Sequence, residues 1–149
     1  MGGIAIERTA TEDVVLTVVT HLEKGEIDDA IDLFATEFTY KDHGIGLEFT
    51  NKERLAEFFQ KTREFFSDFS LQIDSILMSV DHVVGEWTLH TAVTEPFYAG
   101  LSRKVQILLA GVSVVRTKNG KITDWSDYYD GLTSRRTALA AYFTDWDGF

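Results

Sequence analysis

The dipeptide Asn119-Gly120 is the feature that most constrains how this chain can fold. Both residues tolerate the positive φ angles that a two-residue hairpin turn requires, so a tight turn between antiparallel strands is predicted here. The strand after the turn carries Trp125, Asp127 and Tyr129 on one face, because side chains alternate along a strand with a period of two. The stretch therefore predicts a hairpin that presents a carboxylate between two aromatic side chains.

The chain is predicted to form two helices, a short strand, a third helix, four antiparallel strands and a terminal helix. Hydrophobic periodicity and helix-end signals predict helices over residues 9–24, 28–35, 51–66 and 133–143, and strands over 37–43, 70–80, 83–94, 103–117 and the segment after the turn. The strand 103–117 is apolar through its middle, so we expect it in the interior of the sheet. Helices gathered on one face of a curved antiparallel sheet define an α+β fold with a deep concave pocket. We expect one domain over residues 1–149 and no parallel strands.

The composition excludes several classes of function. Twenty-four acidic residues against 14 basic ones give a net charge of −10, which argues against nucleic acid as a partner. There is no cysteine, hence neither a disulfide nor thiolate chemistry. No apolar run approaches the roughly 20 residues that span a membrane, and no stretch resembles a signal peptide, so we expect a cytoplasmic protein without a membrane partner.

No metal or cofactor site is expected from the sequence. His82 and His90 lie far apart along one strand, and no third ligand stands at a suitable spacing for zinc. The chain also contains neither a phosphate-binding glycine loop nor a nucleophile-elbow motif.

Two carboxylates are candidates for a catalytic site. Asp127 lies between aromatic neighbours, where poor solvation raises the pKa of a carboxyl group and lets it exchange protons near neutral pH. Asp42 shares a strand face with Phe38 and Tyr40, just before a glycine-containing loop. The alternative is structural: Asp127 accepts hydrogen bonds from neighbouring hydroxyl groups, and Asp42 orders the loop. On the third helix, Phe58 and Phe59 belong to an aromatic stripe that is typical of a core and can also wall an apolar cavity.

The order of elements and two segments carry a resemblance to known proteins. The segments are F-A-T-E-F-T-Y-K-D at 34–42 and G-V-S-V-V-R-T-K-N-G-K-I-T-D-W-S-D-Y-Y-D at 111–130. Together they resemble the cone-shaped fold of nuclear transport factor 2 and ketosteroid isomerase, also called cystatin-like. Within that superfamily, the chain is most similar to the limonene-1,2-epoxide hydrolases and the SnoaL-like polyketide cyclases, over residues 12–139. Such a likeness supports architecture better than it supports a reaction.

The resemblance implies roles for single residues. Asp127 matches the carboxylate that serves as general base in both families, and Trp125 matches a tryptophan of the pocket. Tyr40 matches a tyrosine that helps to hold the reacting water in the epoxide hydrolases. Asp42 lies where those hydrolases carry an asparagine and where ketosteroid isomerases carry their proton-shuttling aspartate.

One departure from the epoxide hydrolases is evident. Those enzymes carry an Arg-x-Asp pair on the strand that here runs through Trp87, and the aspartate of that pair protonates the epoxide. This chain has Thr88 and His90 at the matching positions. A histidine with an ordinary pKa near 6.5 can still serve as an acid. We therefore expect His90 to reach the pocket as a catalytic group and Thr88 to contact the substrate there.

These residues suit removal of a proton next to a carbonyl group, followed by isomerisation, cyclisation or elimination of a small hydrophobic substrate. Asp127 or Asp42 would take the proton, and Tyr40 or His90 would bind the enolate oxygen. The substrate would be polyketide-, terpenoid- or steroid-like, held by the aromatic residues at 38, 58, 59, 125 and 129. The alternatives are epoxide hydrolysis with a different acid and a non-catalytic ligand-binding or dimerisation module.

A homodimer is also expected. The strands 83–94 and 103–117 carry apolar residues on both faces, which suits a sheet that is covered on both sides. The convex face would then form the contact between two copies of the chain.

Overall fold

The computed structural model describes residues 10–96 and 98–131, which form three α-helices, a short 3₁₀ turn and six strands. The helices are α1 (Ala10–Lys24), α2 (Ile27–Ile31) and α3 (Lys52–Phe65). The strands are β1 (Phe34–Asp42), β2 (Leu47–Phe49), β3 (Ser67–Met78), β4 (His82–Pro96), β5 (Ser102–Lys118) and β6 (Lys121–Tyr129). The helix predicted over 133–143 lies outside the described residues.

Local sequence signals account for the ends of the main elements. The side chain of Asn51 caps α3 by accepting a hydrogen bond from the backbone N–H of Arg54 at 3.0 Å. Helix α1 carries acidic residues in its first turn and is followed by Gly25, whose φ of 76° is of the kind that terminates helices. Asn119 and Gly120 both have positive φ, as the predicted two-residue turn between β5 and β6 requires.

The six strands form one sheet in the order β2-β1-β6-β5-β4-β3. Strand β5 lies between β4 and β6, which confirms the interior position predicted for residues 103–117. Four of the strand pairs are antiparallel, but β1 and β6 run parallel. The expectation of a wholly antiparallel sheet is therefore wrong for this pair. These strands are joined by most of the chain, and so no tight hairpin forces them to run in opposite directions.

Helices α1 and α3 pack against one face of the curved sheet, which confirms the predicted α+β class. The core between them is built from aliphatic residues of the helices and aromatic residues of β1, α3 and β6. A smaller apolar cluster lies around Trp87 on β4 and β5.

Two local predictions need correction. The second helix ends at Ile31, earlier than predicted, and Phe34 already begins β1. The short strand β2 after the glycine-containing loop was not predicted, because three residues are too few to show an alternating pattern. None of the helices in the described ranges has the length and apolar character of a membrane span.

Candidate active site

A cavity of about 500 Å³ lies between the concave face of the sheet and the helices α1 and α3. This volume lies in the range of pockets that bind small molecules. Most of the wall is aliphatic or aromatic, and its polar side chains are Tyr40, Asp42, Thr62, Arg63, Ser113, Asp127 and Tyr129. An apolar cavity with a few convergent polar groups is the usual form of a binding or catalytic site.

Asp127 on β6 accepts hydrogen bonds from three side chains. Trp125 Nε1 and Ser113 Oγ lie 2.7 Å and 2.5 Å from Oδ1, and the Tyr40 hydroxyl donates to Oδ2. Trp125 and Asp127 are two residues apart on the same strand face, so the local alternation places the indole beside the carboxylate. Ser113 lies opposite Asp127 in the β5–β6 pairing.

Ser113 links Trp87 to Asp127 through two hydrogen bonds. The indole N–H of Trp87, which can only donate, lies 2.9 Å from Ser113 Oγ. Ser113 Oγ therefore accepts a hydrogen bond from Trp87, and its hydroxyl group donates one to Asp127. Gly111 lies against the ring of Trp87: a Cβ atom at that position would be 2.3 Å from Cζ2 of the indole. The absence of a side chain at 111 thus leaves the space that Trp87 occupies.

Burial raises the pKa of Asp127 above its ordinary value, and the charge of Asp42 adds to the rise. The hydrogen bonds from Ser113, Tyr40 and Trp125 act in the opposite direction, because they stabilise the ionised carboxylate. The side chain is only partly exposed, and it lines the cavity. Burial and the neighbouring Asp127 charge also raise the pKa of Tyr40 well above 10, so Tyr40 keeps its proton and remains a donor.

Asp42, at the end of β1, is directly opposite Asp127 in the parallel β1–β6 pairing. It is only 5% exposed, and burial raises its pKa. Hydrogen bonds from the Tyr129 side chain and from the backbone of Ile45, at 3.1 Å, lower that pKa and so limit the rise. Tyr129 is held in turn by close contact of its ring with the backbone of Gly44, where a Cβ atom would overlap the ring.

The structure brings most of the predicted site residues together. Asp127, Asp42, Tyr40, Trp125, Tyr129, Phe58 and Phe59 all line the cavity. The rings of Phe58 and Phe59 reach Tyr40, with centroids 6.3 Å and 5.4 Å from its ring.

Three predicted site residues lie elsewhere. Thr88 and His90 are on the face of β4 opposite Trp87 and Leu89, which line the cavity. His90 is exposed, and Thr88 Oγ1 donates to Asp74 Oδ2 at 2.6 Å on that outer surface. The expectation that both reach the cavity is corrected, because alternation fixes which residues of β4 share a face but not which face meets the helices.

Phe38 is also absent from the cavity wall. It is 5% exposed and packs edge-on against Phe34, at a centroid distance of 5.3 Å, within the core. Its predicted contact with substrate is therefore corrected to a role in packing.

Sequence reasoning missed Ser113, Trp87 and Arg63 as residues of the site. Ser113 was hidden in an apolar strand, although a lone hydroxyl between valines is itself a signal, because a buried hydroxyl needs a hydrogen-bond partner. Arg63 was visible as a cation four residues after Phe59 on the same helix, a spacing that puts both on one face.

One cluster with the ligand types of a metal site occurs among the described residues. It consists of His21, Glu26 and Asp29, where α1 ends and α2 begins. Glu26 and Asp29 are exposed, and none of the three lines the cavity. The cavity itself offers no cluster of this kind within the described ranges.

Several solved structures share this fold. A protein from Shewanella putrefaciens described as a SnoaL-like polyketide cyclase has a TM-score of 0.76 at 12% identity, covering 88% of this chain and 97% of its own. A protein with a ketosteroid isomerase-like fold from Catenulispora acidiphila, solved with trimethylamine, has a TM-score of 0.68 at 21% identity, with 90% and 92% covered. An LEH-like epoxide hydrolase from M. tuberculosis has a TM-score of 0.66 at 19% identity, with 91% and 93% covered. At these identities, the likeness establishes the fold alone.

The sequence finds no match among the curated proteins. The profile of the SnoaL-like domain matches residues 15–125, which is more than half of the chain. That match covers most of α1, strands β1 to β5 and the first part of β6, the strand that carries Asp127. The chain therefore belongs to the SnoaL-like domain family.

Proposed function

We propose that this protein is a small-molecule enzyme in which Asp127 is the general base. It removes a proton next to a carbonyl group of a hydrophobic, polyketide-, terpenoid- or steroid-like substrate, and isomerisation, cyclisation or elimination follows. The fold supports a cyclase, an isomerase or an epoxide hydrolase. The observation that carries the proposal is a carboxylate that three side chains bind at the wall of an apolar cavity.

The hydrogen-bond pattern supports Oδ2 of Asp127 as the basic atom. Oδ1 accepts from both Ser113 and Trp125, whereas Oδ2 accepts from Tyr40 alone. A carboxylate oxygen can accept about two hydrogen bonds in its plane, so Oδ2 keeps a free lone pair. Because all three partners direct protons at the carboxylate, the network favours an ionised Asp127. Burial at the same time makes the carboxylate more basic than in water.

Asp42 completes the proposal as the second acid. Two neighbouring carboxylates in one poorly solvated place do not ionise independently, since the charge on one disfavours the charge on the other. Burial raises the pKa of Asp42, which favours its protonated form. A protonated Asp42 can donate to the oxygen on which charge develops as the substrate loses its proton. Tyr40 is already committed to Asp127, and His90 lies on the outer face, so neither is assigned this role.

Convergent polar groups also favour an enzyme over the two alternatives. A carrier of apolar ligands has no need of two carboxylates with fixed donors at the wall of its cavity. Epoxide opening by a water-activating base needs an acid on the far side of the epoxide, but Asp42 lies beside Asp127 on the neighbouring strand. Thr88 and His90, at the positions of the epoxide hydrolase pair, face away from the cavity.

Deuterium exchange tests this proposal without knowledge of the final product. A panel of cyclic and aromatic ketones, 1,3-diketones and enones is incubated with the protein in D₂O, and loss of the α-proton signal is followed by NMR. We expect catalysed exchange for a subset of the panel, and a rate about 10²–10⁴-fold lower for Asp127→Asn. The asparagine keeps an oxygen for Ser113 and Trp125, and the Tyr40 hydroxyl can accept from its NH₂ group, so the fold should persist.

The matched control is Asp124→Asn, which removes an exposed carboxylate from the same strand. It should leave the exchange rate unchanged. Exchange by Asp127→Asn at the unaltered rate would contradict the assignment of the base, and absence of exchange across the panel would contradict the proposed chemistry.

We also propose that the protein forms a homodimer through the convex face of the sheet. Leu77 on β3 and Leu108 on β5 project from that face and are 70% and 60% exposed. Large apolar side chains on one surface are typical of a protein contact.

A further inference from the structure

Arg63 is a cation in the otherwise largely apolar wall of the cavity. It projects from the last turn of α3, and its guanidinium lies over the ring of Phe69, 4.7 Å from the ring centroid. Nη2 donates to the backbone carbonyl of Glu23 at 3.2 Å. Stacking and this hydrogen bond together fix the position of the guanidinium plane.

The donors of Arg63 are largely unused. Of its five N–H groups, one has an acceptor among the described residues, and the buried Nε–H is among those without one. The ion pairs among the described residues do not include one between Glu23 and Arg63; Glu23 Oε1 instead accepts from the backbone N–H of Leu71 at 2.9 Å. A charged donor that is buried without a partner is costly, and a ligand oxygen would remove that cost.

Arg63 lies away from the two carboxylates along α3. Phe59, one helical turn before it, touches the ring of Tyr40, which binds Asp127. The ring of Phe69 beneath the guanidinium belongs to β3, and strands β5 and β4 separate β3 from β6, which carries Asp127. The cavity therefore has its carboxylates on the side of β1 and β6 and its guanidinium on the side of β3.

We propose that Arg63 is a specificity-determining residue that binds a carboxylate group of the substrate. The planar fork of arginine matches the two oxygens of a carboxylate. The negative charge at Asp127 disfavours a carboxylate at that end, so the substrate is oriented with its reacting carbon towards Asp127. This inference deepens the proposed function by naming the substrate class: hydrophobic carbonyl compounds that carry a carboxylate. It rests on the cavity as the substrate site, not on Asp127 as the base.

Binding of matched ligands tests the proposal. The probes are naphthalene-2-carboxylate and naphthalene-2-carboxamide, which have the same shape but differ in charge, with the benzoate and benzamide pair as smaller probes. Isothermal titration calorimetry at pH 7.5 and 0.1 M salt gives each Kd. We expect the carboxylates to bind about 10-fold more tightly than the amides, or better, since hydrogen bonds to charged groups are the stronger ones.

The variants distinguish Arg63 from general electrostatics. Arg63→Met keeps an apolar stem over Phe69 and should abolish the preference for carboxylates, whereas Arg63→Lys keeps the charge and should retain part of it. The matched control Arg54→Met removes an exposed cation from the same helix, paired with Glu57 at 3.5 Å, and should leave the preference intact. Asp127→Asn should also keep it, so that failure of the proposed base and failure of this inference are told apart. Equal affinity for both members of each pair, binding of no carboxylate, or an unchanged preference in Arg63→Met would overturn the proposal.

Discussion

Replacement of Ser113 by alanine tests the hydrogen-bond network around Asp127 most directly. Ser113 is 8% exposed and links the Trp87 indole to Asp127. The variant loses a hydrogen bond to a charged group, worth about 1.5–3 kcal/mol, and leaves the Trp87 N–H without its acceptor, which costs about 1–3 kcal/mol. We expect the free energy of unfolding to fall by roughly 3–5 kcal/mol at neutral pH. Such a loss is large beside a typical total stability of about 5–15 kcal/mol.

The two parts of this loss differ in their dependence on pH. Burial already raises the pKa of Asp127 in the folded protein, so its titration contributes stability that is present at low pH and is lost as pH rises through the folded pKa. Ser113 opposes that rise because its hydrogen bond favours the ionised form. Removal of the hydroxyl raises the folded pKa further, and the variant therefore loses more stability with increasing pH than the wild type. The part that comes from Trp87 does not titrate.

Urea unfolding followed by circular dichroism between pH 4.5 and 8 measures both parts. The difference between wild type and Ser113→Ala should grow with pH and reach its full value above the folded pKa of Asp127 in the variant. The matched control is Ser126→Ala, the neighbour of Asp127 on the opposite face of β6, which should change stability by less than about 0.5 kcal/mol. A difference that does not vary with pH, or one below about 1 kcal/mol throughout, would refute the network as described.

Two further predictions concern packing and assembly. Gly111→Ala places a methyl group against the Trp87 ring. We expect the free energy of unfolding in urea to fall by about 1–3 kcal/mol and the near-ultraviolet circular dichroism of tryptophan to change. An unaltered stability would contradict the contact. For assembly, sedimentation velocity should show a dimer at micromolar concentration that Leu108→Glu converts to a monomer, while Leu101→Glu, an exposed leucine just before β5, serves as the control. A monomeric wild type would contradict the dimer.

The sequence was most informative where local pattern decides the structure. The turn at Asn119-Gly120 and the alternation after it placed Trp125, Asp127 and Tyr129 on one face, and all three line the cavity. The same alternation on β1 grouped Tyr40 with Asp42. Each of these inferences needs only the geometry of a single strand.

The sequence was least informative where the choice depends on distant contacts. Strand β4 has apolar residues on both faces, and only the packing of the helices decided that Trp87, rather than His90, meets the cavity. The role of Ser113 depends on two partners from other strands. Arg63 belongs to the site because the last turn of α3 lies along the cavity wall, and this position depends on how the helix packs against the sheet.

The parallel pairing of β1 with β6 is the structural feature that places the two carboxylates in one site. Because the two strands run in the same direction, they bring Asp42 and Asp127 to the cavity side by side. The tyrosine donors are exchanged between the strands: Tyr40 of β1 binds Asp127 of β6, and Tyr129 of β6 binds Asp42 of β1. Each carboxylate thus accepts a hydrogen bond from a tyrosine on the strand that carries the other carboxylate. A shift in register between the strands would therefore break both hydrogen bonds together. The protonation of one carboxylate is coupled to that of its neighbour by charge. The positions of the two carboxylates are coupled as well, since both depend on the register between the same pair of strands.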